Sequence, residues 1–117
     1  MNSIFGIGVD LVDVNKFKKK SYSENSSFYN KLFLPTEIKY CLKFKNPNQH
    51  LAGKFAVKES IKKSISTKIK FHEIETFHKN SKPMVSLRGK YSKKFSIIVS
   101  ITHEKNFAIA FVIVEKI

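Results

Sequence analysis

Leu51-Ala52-Gly53-Lys54-Phe55-Ala56-Val57-Lys58-Glu59-Ser60-Ile61-Lys62-Lys63-Ser64-Ile65 is the stretch from which the rest of the chain can be read. Its spacing predicts a helix. At 3.6 residues per turn, Ala52, Phe55, Ala56 and Glu59 share one arc. An ionised carboxylate on an apolar arc needs a cation beside it or gives up its charge. An intrahelical pair with Lys62 or Lys63 supplies only about 0.2–0.5 kcal/mol, too little to explain the placement. Glu59 is therefore a candidate functional group. Lys54, Lys58 and Lys62 recur at four-residue steps and form a separate stripe, expected to be a solvated charged face. Beside a metal site, such lysines would clamp phosphate.

Upstream, Ile4-Phe5-Gly6-Ile7-Gly8-Val9 reads as a strand ending at Asp10. Gly6 and Gly8 fall on one face, where a backbone or ligand can come close. Asp10 is either a turn or capping aspartate or a metal ligand at the strand end. Oxygen donors such as Asp10 and Glu59 favour Mg²⁺, Mn²⁺ or Ca²⁺ over zinc, and Mg²⁺ commonly takes few carboxylates with water and substrate phosphates. Asp13 is placed to cap a helix containing Val14, Phe17 and Lys18-Lys19-Lys20. Ser21 to Asn30 reads as a turn or ragged helix, Pro35 through Leu42 as a short helix, and Asn46-Pro47-Asn48 as a loop.

Downstream, His72 to His78, Met84 to Leu87, Phe95 to Thr102 and Phe107 to Val114 read as strands. Asn80-Ser81-Lys82-Pro83 is the turn between the first two, and residues 103–106 join the last two as a hairpin. A strand, then helices, then an antiparallel run is an α+β arrangement. His103 closes Ser100-Ile101-Thr102-His103, with the hydroxyls of Ser100 and Thr102 on one strand face.

The 117 residues suit a single domain, 1–117, with one core, and the apolar share of 42% with 11 Phe is enough to build it. The 22 basic against 9 acidic residues give a formal charge of +13. Such a field draws polyanions: nucleic acid, acidic membrane, phosphorylated ligand or acidic protein. Arg88 is the only arginine, so bidentate recognition is nearly absent. Cys41 stands alone, which rules out an intrachain disulfide, and no Cys/His spacing suggests zinc. A reducing cytoplasm fits, Met1-Asn2-Ser3-Ile4-Phe5 does not read as a signal peptide, and no stretch reaches the length of a membrane span. Lys16, Lys18, Lys19 and Lys20 form the densest basic cluster outside the 51–65 helix, suited to docking an acidic protein.

Gly6-Ile7-Gly8-Val9-Asp10, Leu51 through Glu59, and Val99-Ser100-Ile101-Thr102-His103 together resemble the holo-acyl-carrier-protein synthases, the short bacterial type of 4′-phosphopantetheinyl transferase. The resemblance covers essentially the whole chain. It implies an α+β phosphopantetheinyl transferase fold, an antiparallel sheet packed with a long central helix, assembled as a homotrimer with sites between subunits. It implies transfer of the phosphopantetheine arm of coenzyme A to a serine of apo-acyl carrier protein, releasing adenosine 3′,5′-bisphosphate, in fatty acid biosynthesis. Asp10 and Glu59 match the Mg²⁺ ligands and Lys63 the lysine that meets the phosphates. Lys54 matches a position contacting coenzyme A, and Thr102 and His103 a segment near its adenosine 3′-phosphate. Lys16, Lys19 and Lys20 match the basic helix that docks carrier protein. The base for the serine proton is a metal-bound water or a carboxylate, with Glu37 the candidate carboxylate. Neither nucleic acid nor membrane is an expected partner. Two departures stand out: Ser66-Thr67-Lys68 replaces a glycine-rich turn, and Ser81 replaces a glycine before Pro83. The competing reading is a basic nucleic-acid-binding module, supported by the charge and by 15 aromatic residues (11 Phe, 4 Tyr). It leaves Asp10 and Glu59 unexplained.

Overall fold

The computed structural model describes residues 4–117; Met1, Asn2 and Ser3, part of the stretch weighed as a leader, lie outside the described residues. The chain runs β1 (Ile4–Asp13), α1 (Asn15–Lys18), α2 (Ser26–Leu32), α3 (Pro35–Leu42), α4 (Pro47–Ser64), β2 (Ile74–Lys79), β3 (Lys82–Leu87), β4 (Phe95–Glu104) and β5 (Phe107–Lys116). Strands β1, β5 and β4 form an antiparallel sheet in that order, and β2 with β3 form a separate hairpin.

The inner face of β5 presents Ala108, Ala110, Val112 and Val114, all fully buried. Small side chains there, and none at Gly6 and Gly8 of β1, let α4 press directly on the sheet. A Cβ at Gly8 would stand 1.9 Å from the carbonyl oxygen of Ser60, and one at Gly6 would stand 1.8 Å from that of Ser64. The glycines thus admit a backbone. The Ser60 hydroxyl reaches the carbonyls of Ala56 at 2.7 Å and Ala110 at 3.1 Å, tying α4 to β5.

The opposite side of α4 carries α1, α3 and β2. Phe17 anchors α1, its ring 5.8 Å from both Phe33 and Phe55. The helix is a single turn, shorter than the sequence suggests. The Tyr29 hydroxyl donates to the carbonyls of Phe17 and Lys20, capturing groups that a longer helix would use. Asp13 accepts the Asn15 N–H at 2.9 Å, a local Asx-type turn.

Helix α4 also begins earlier than expected. Asn46 is its N-cap and Pro47 its first residue, a position where the missing N–H is not needed. Strand β1 likewise outlasts its predicted end, because β5 pairs with it through Asp13↔Phe107. Asp10 is therefore a mid-strand residue opposite Ala110. His72 falls in a 3-10 turn, Phe71–Glu73, before β2. Helix α3 matches its predicted span.

Both sequence departures have a structural account. After α4 the chain leaves through Ile65 in extended conformation, φ −105° and ψ 129°, so no glycine is required. In the β2–β3 turn, Asn80 (φ 52°) and Ser81 (φ 65°) are both left-handed, the conformation that glycine adopts at least cost.

Candidate active site

From Leu51 to Ile61 every residue of α4 is buried except Glu59. The lysine stripe expected to be solvated is inside: Lys54 is 3% and Lys58 0% exposed. The reason is that α4 is wrapped on all sides, with sheet on one side and helices and β2 on the other. Each buried ammonium finds acceptors. Lys58 pairs with Glu37 at 2.7 Å and donates to the Phe71 carbonyl at 3.0 Å. Lys62 donates to the Ile69 carbonyl at 2.6 Å. Burial pulls the Lys54 and Lys58 ammonium groups below the ordinary lysine range, and nearby Glu37 opposes that shift in both.

Glu59 is half-buried and, among the described residues, has no hydrogen-bond or ion-pair partner. One turn on, Lys63 crosses to β1. Its ammonium lies 2.8 Å from Asp10 Oδ1 and 3.1 Å from the Val9 carbonyl. Asp10 shares the inner face of β1 with Gly6 and Gly8, the face that α4 contacts. The fold therefore brings Asp10 against the helix that carries Glu59 and Lys63. Two hard oxygen donors, one half-shielded and the other holding an ammonium, fit a small divalent cation beside phosphate.

Glu37 does not belong to this cluster. It is 1% exposed, and its carboxylate is saturated. Oε1 accepts the Leu34 N–H at 2.7 Å as well as Lys58, and Oε2 accepts the Thr76 N–H at 2.8 Å and the Thr76 hydroxyl at 2.6 Å. A carboxylate so enclosed and so fully bonded cannot reach a substrate proton, which corrects its assignment as a general base.

A second cluster lies nearer the other end of α4. A cleft of about 440 Å³ is lined by Tyr40, His50, Lys54, His78, Ser81 and His103, among others. His103 sits opposite Ala108 on β4, on the inner face, and its Nε2–H donates to the Gln49 carbonyl at 3.1 Å. Gly53 makes room for that ring: a Cβ there would stand 3.2 Å from His103 Nε2. Thr102 pairs with Ile109 on the outer face and is exposed. The structure thus separates Thr102 from His103, which the sequence had grouped. Tyr40 stacks on His78 at 4.9 Å and Phe44 on His50 at 3.7 Å. Burial, and then neighbouring positive charge, holds both His50 and His78 below the ordinary imidazole value. None of Tyr40, Phe44, His50 and His78 stands out in the sequence, because three elements and the α3–α4 connection contribute them. Only the four-residue step from His50 to Lys54 hinted at a shared face.

Lys16, Lys19 and Lys20 are exposed around α1. Lys16 lies over the Phe55 ring at 4.3 Å and Lys20 over Phe28 at 4.9 Å, so their stems cover aromatic surface while the charges face water. Cys41 is fully buried, with its thiol pushed up to about 12 chiefly by that burial, and offers no nucleophile near neutral pH.

Residues 6–112 match the family described as the 4′-phosphopantetheinyl transferase superfamily. The chain belongs to that superfamily. Within it, this phosphopantetheinyl transferase is of the holo-(acyl-carrier-protein) synthase type. It is 40% identical to a holo-(acyl-carrier-protein) synthase of Halothermothrix orenii, covering 97% of this chain and 98% of that one. It is 39% identical to the synthase of Thermodesulfovibrio yellowstonii, over 95% of this chain and 98% of that one. The Bacillus anthracis synthase, solved in complex with CoA (3′,5′-ADP), superposes with a TM-score of 0.83 at 27% identity, over 97% of this chain and 98% of that one. The α+β fold expected for such a transferase, an antiparallel sheet against a long helix, is the fold observed.

Proposed function

We propose that this transferase moves the 4′-phosphopantetheine arm of coenzyme A to a serine hydroxyl of an apo-acyl carrier protein, supplying the holo-carrier for fatty acid biosynthesis. The serine oxygen forms a bond to the phosphorus nearer the pantetheine, its proton passes to solvent water, the diphosphate P–O bond breaks, and adenosine 3′,5′-bisphosphate leaves with the bonding electron pair. The observation that carries this reading is the Lys63–Asp10 contact beside Glu59, the one unburied residue between Leu51 and Ile61. Asp10 and Glu59 would hold Mg²⁺, whose chemistry when bound is to neutralise diphosphate charge and polarise the phosphorus. Lys63, 54% exposed, is free to swing from Asp10 onto a substrate phosphate.

The second cluster suits the nucleotide end of coenzyme A. Lys54 and His103 would meet its 3′-phosphate, and the stacked rings of Tyr40 and His78 offer a flat wall. Nine residues of helix, about 13 Å, separate Lys54 from Lys63. Thr102 faces outward on a sheet face that also exposes Ile98 and Phe111. That arrangement supports a homotrimer in which a neighbouring copy completes each site. The exposed lysines around α1 suit an acidic carrier protein, whose approach they would steer. Among the described residues no helix is long and apolar enough to cross a membrane.

The test is intact-mass analysis of an apo-acyl carrier protein incubated with this protein, coenzyme A and Mg²⁺, with an EDTA control. A gain of one phosphopantetheine that EDTA abolishes is expected. No gain across several carrier proteins, with folded enzyme, would overturn the reading.

A further inference from the structure

Glu37 lies outside the chemistry, yet its bonds lead to the cleft. A carboxylate can only accept, so the single proton of the Thr76 hydroxyl is directed to Glu37 Oε2 at 2.6 Å. An ammonium can only donate. Lys54 Nζ therefore donates to a lone pair of Thr76 Oγ1 at 3.1 Å, and also to the Thr76 carbonyl at 3.2 Å. The direction of the chain is forced: Lys54 to Thr76 to Glu37. The Thr76 N–H, bonded to the same Oε2 at 2.8 Å, locks the threonine from its backbone side.

Charge completes the argument. Two ammonium groups, Lys54 and Lys58, are buried beside one buried carboxylate. Lys58 takes Glu37 directly at 2.7 Å. Lys54 has no carboxylate contact among the described residues, and Glu37 and Glu75 support its charge only from a distance. Two of its three N–H donors are spent on Thr76; the ammonium stands 4.7 Å from the Tyr40 ring centroid and borders the cleft. A buried charge lacking a counter-ion is costly, and an anionic ligand group in the cleft would supply one.

We propose that Glu37 and Thr76 are positioning residues that aim the Lys54 ammonium at an anionic group of the bound ligand. This rests on the reading of the cleft as the site for the 3′-phosphate of coenzyme A. Glu37 Oε2 fixes the Thr76 hydroxyl, and the hydroxyl fixes Lys54. Glu37 Oε1 meanwhile ties the start of α3 to α4 through Leu34 and Lys58. One carboxylate thus couples the packing of three elements to the geometry of a ligand-facing cation.

The experiment compares coenzyme A with 3′-dephospho-coenzyme A as substrates for wild type, Thr76→Val, Thr76→Ser and Lys54→Met, reading KM and kcat separately. The expected result for Thr76→Val is a loss of about tenfold in KM discrimination between the two, the scale of one hydrogen bond to a charged group. Thr76→Ser, which keeps the hydroxyl, restores it. If Lys54→Met loses the discrimination while Thr76→Val retains it, the relay is wrong and the cleft assignment stands. If Lys54→Met retains it, the cleft assignment itself fails. A Thr76→Val variant that weakens both substrates alike has only a structural defect, which also overturns the proposal. A second measurement needs no variant. The Lys54 ammonium resonance of the wild type is expected to be protected from exchange and to shift on adding adenosine 3′,5′-bisphosphate; an unshifted signal counts against the proposal.

Discussion

Glu59 is a side chain whose exposure, not its charge, marks it out. From Leu51 to Ile61 its neighbours along α4 are buried, Lys54 and Lys58 included, while its carboxylate stays half-open and unpaired among the described residues. Glu59→Gln keeps the volume and removes the charge of the proposed metal ligand. Transfer is expected to fall by at least about a hundredfold, equivalent to about 3 kcal/mol of transition-state stabilisation, with little change in melting temperature. Full activity in that variant would remove Glu59 from the site. The imidazoles of the cleft carry a pH dependence. His50 and His78 are held below their ordinary value of 6.5, first by burial and then by positive neighbours that include Lys54. As pH falls through 6.5 the unfolded chain takes up these protons before the folded one does. Their neutral forms therefore contribute full stability above 6.5 and lose it as pH drops towards the folded values. The melting temperature is expected to be lower at pH 5.5 than at pH 7.5, and the gap to shrink in His50→Phe/His78→Phe. A gap of unchanged size would assign the effect to other groups. At this scale the sequence singled out Glu59, because a carboxylate on an apolar arc is an anomaly in one dimension; Asp10 was marked by its place at the end of an apolar run, and Lys63 only by the family resemblance. It misplaced Glu37, since nothing in Pro35-Thr36-Glu37 announces that Lys58 and Thr76 will close around it.

Element by element, the tightest fit in the molecule is β1 on α4. Gly8→Ala would drive a methyl group to 1.9 Å from the Ser60 carbonyl oxygen, a backbone atom held inside a helix. The variant is expected to lose about 3 kcal/mol in urea unfolding. A change below about 1 kcal/mol would mean that the two elements can separate without cost. The β2–β3 turn holds the opposite opportunity. Ser81 sits at φ 65°, where an L-residue pays about 1 kcal/mol or more and glycine does not. Ser81→Gly is expected to stabilise the fold by about 0.5–1 kcal/mol, after the greater entropy of glycine in the unfolded chain is counted. A destabilised variant would show that the serine side chain has a packing role at the mouth of the cleft. Elements with local signals were legible: Pro35 at the start of α3, the β-branched and aromatic residues of β4 and β5, the Asn80-Ser81 turn. Boundaries set by partners were not. Strand β1 continues to Asp13 because β5 is there to pair with it, and α1 stops after one turn because Tyr29 binds its carbonyls.

For the molecule as a whole, the outer face of the three-stranded sheet is where the proposed homotrimer would close. Ile7, Val9 and Leu11 of β1, Phe107 and Phe111 of β5 and Ile98 of β4 are each more than 40% exposed. A contiguous apolar face of this kind marks an association surface, and it lies beside Thr102. Phe111→Lys is expected to convert a trimer into folded monomers in sedimentation velocity and to lose transfer activity. A wild-type protein that sediments as a monomer, or a variant that stays trimeric, would refute this. The chain by itself determined the α+β class, the ordered signature segments, the basic character and the carboxylate pair, because periodicity, charge and residue type are local properties that survive in one dimension. Tertiary structure alone decided which charges are buried. Lys54, Lys58 and Glu37 look like surface residues in the sequence and become core residues because α4 is enclosed on every side. Enclosure is a property of how layers stack, and a single helix carries no record of it.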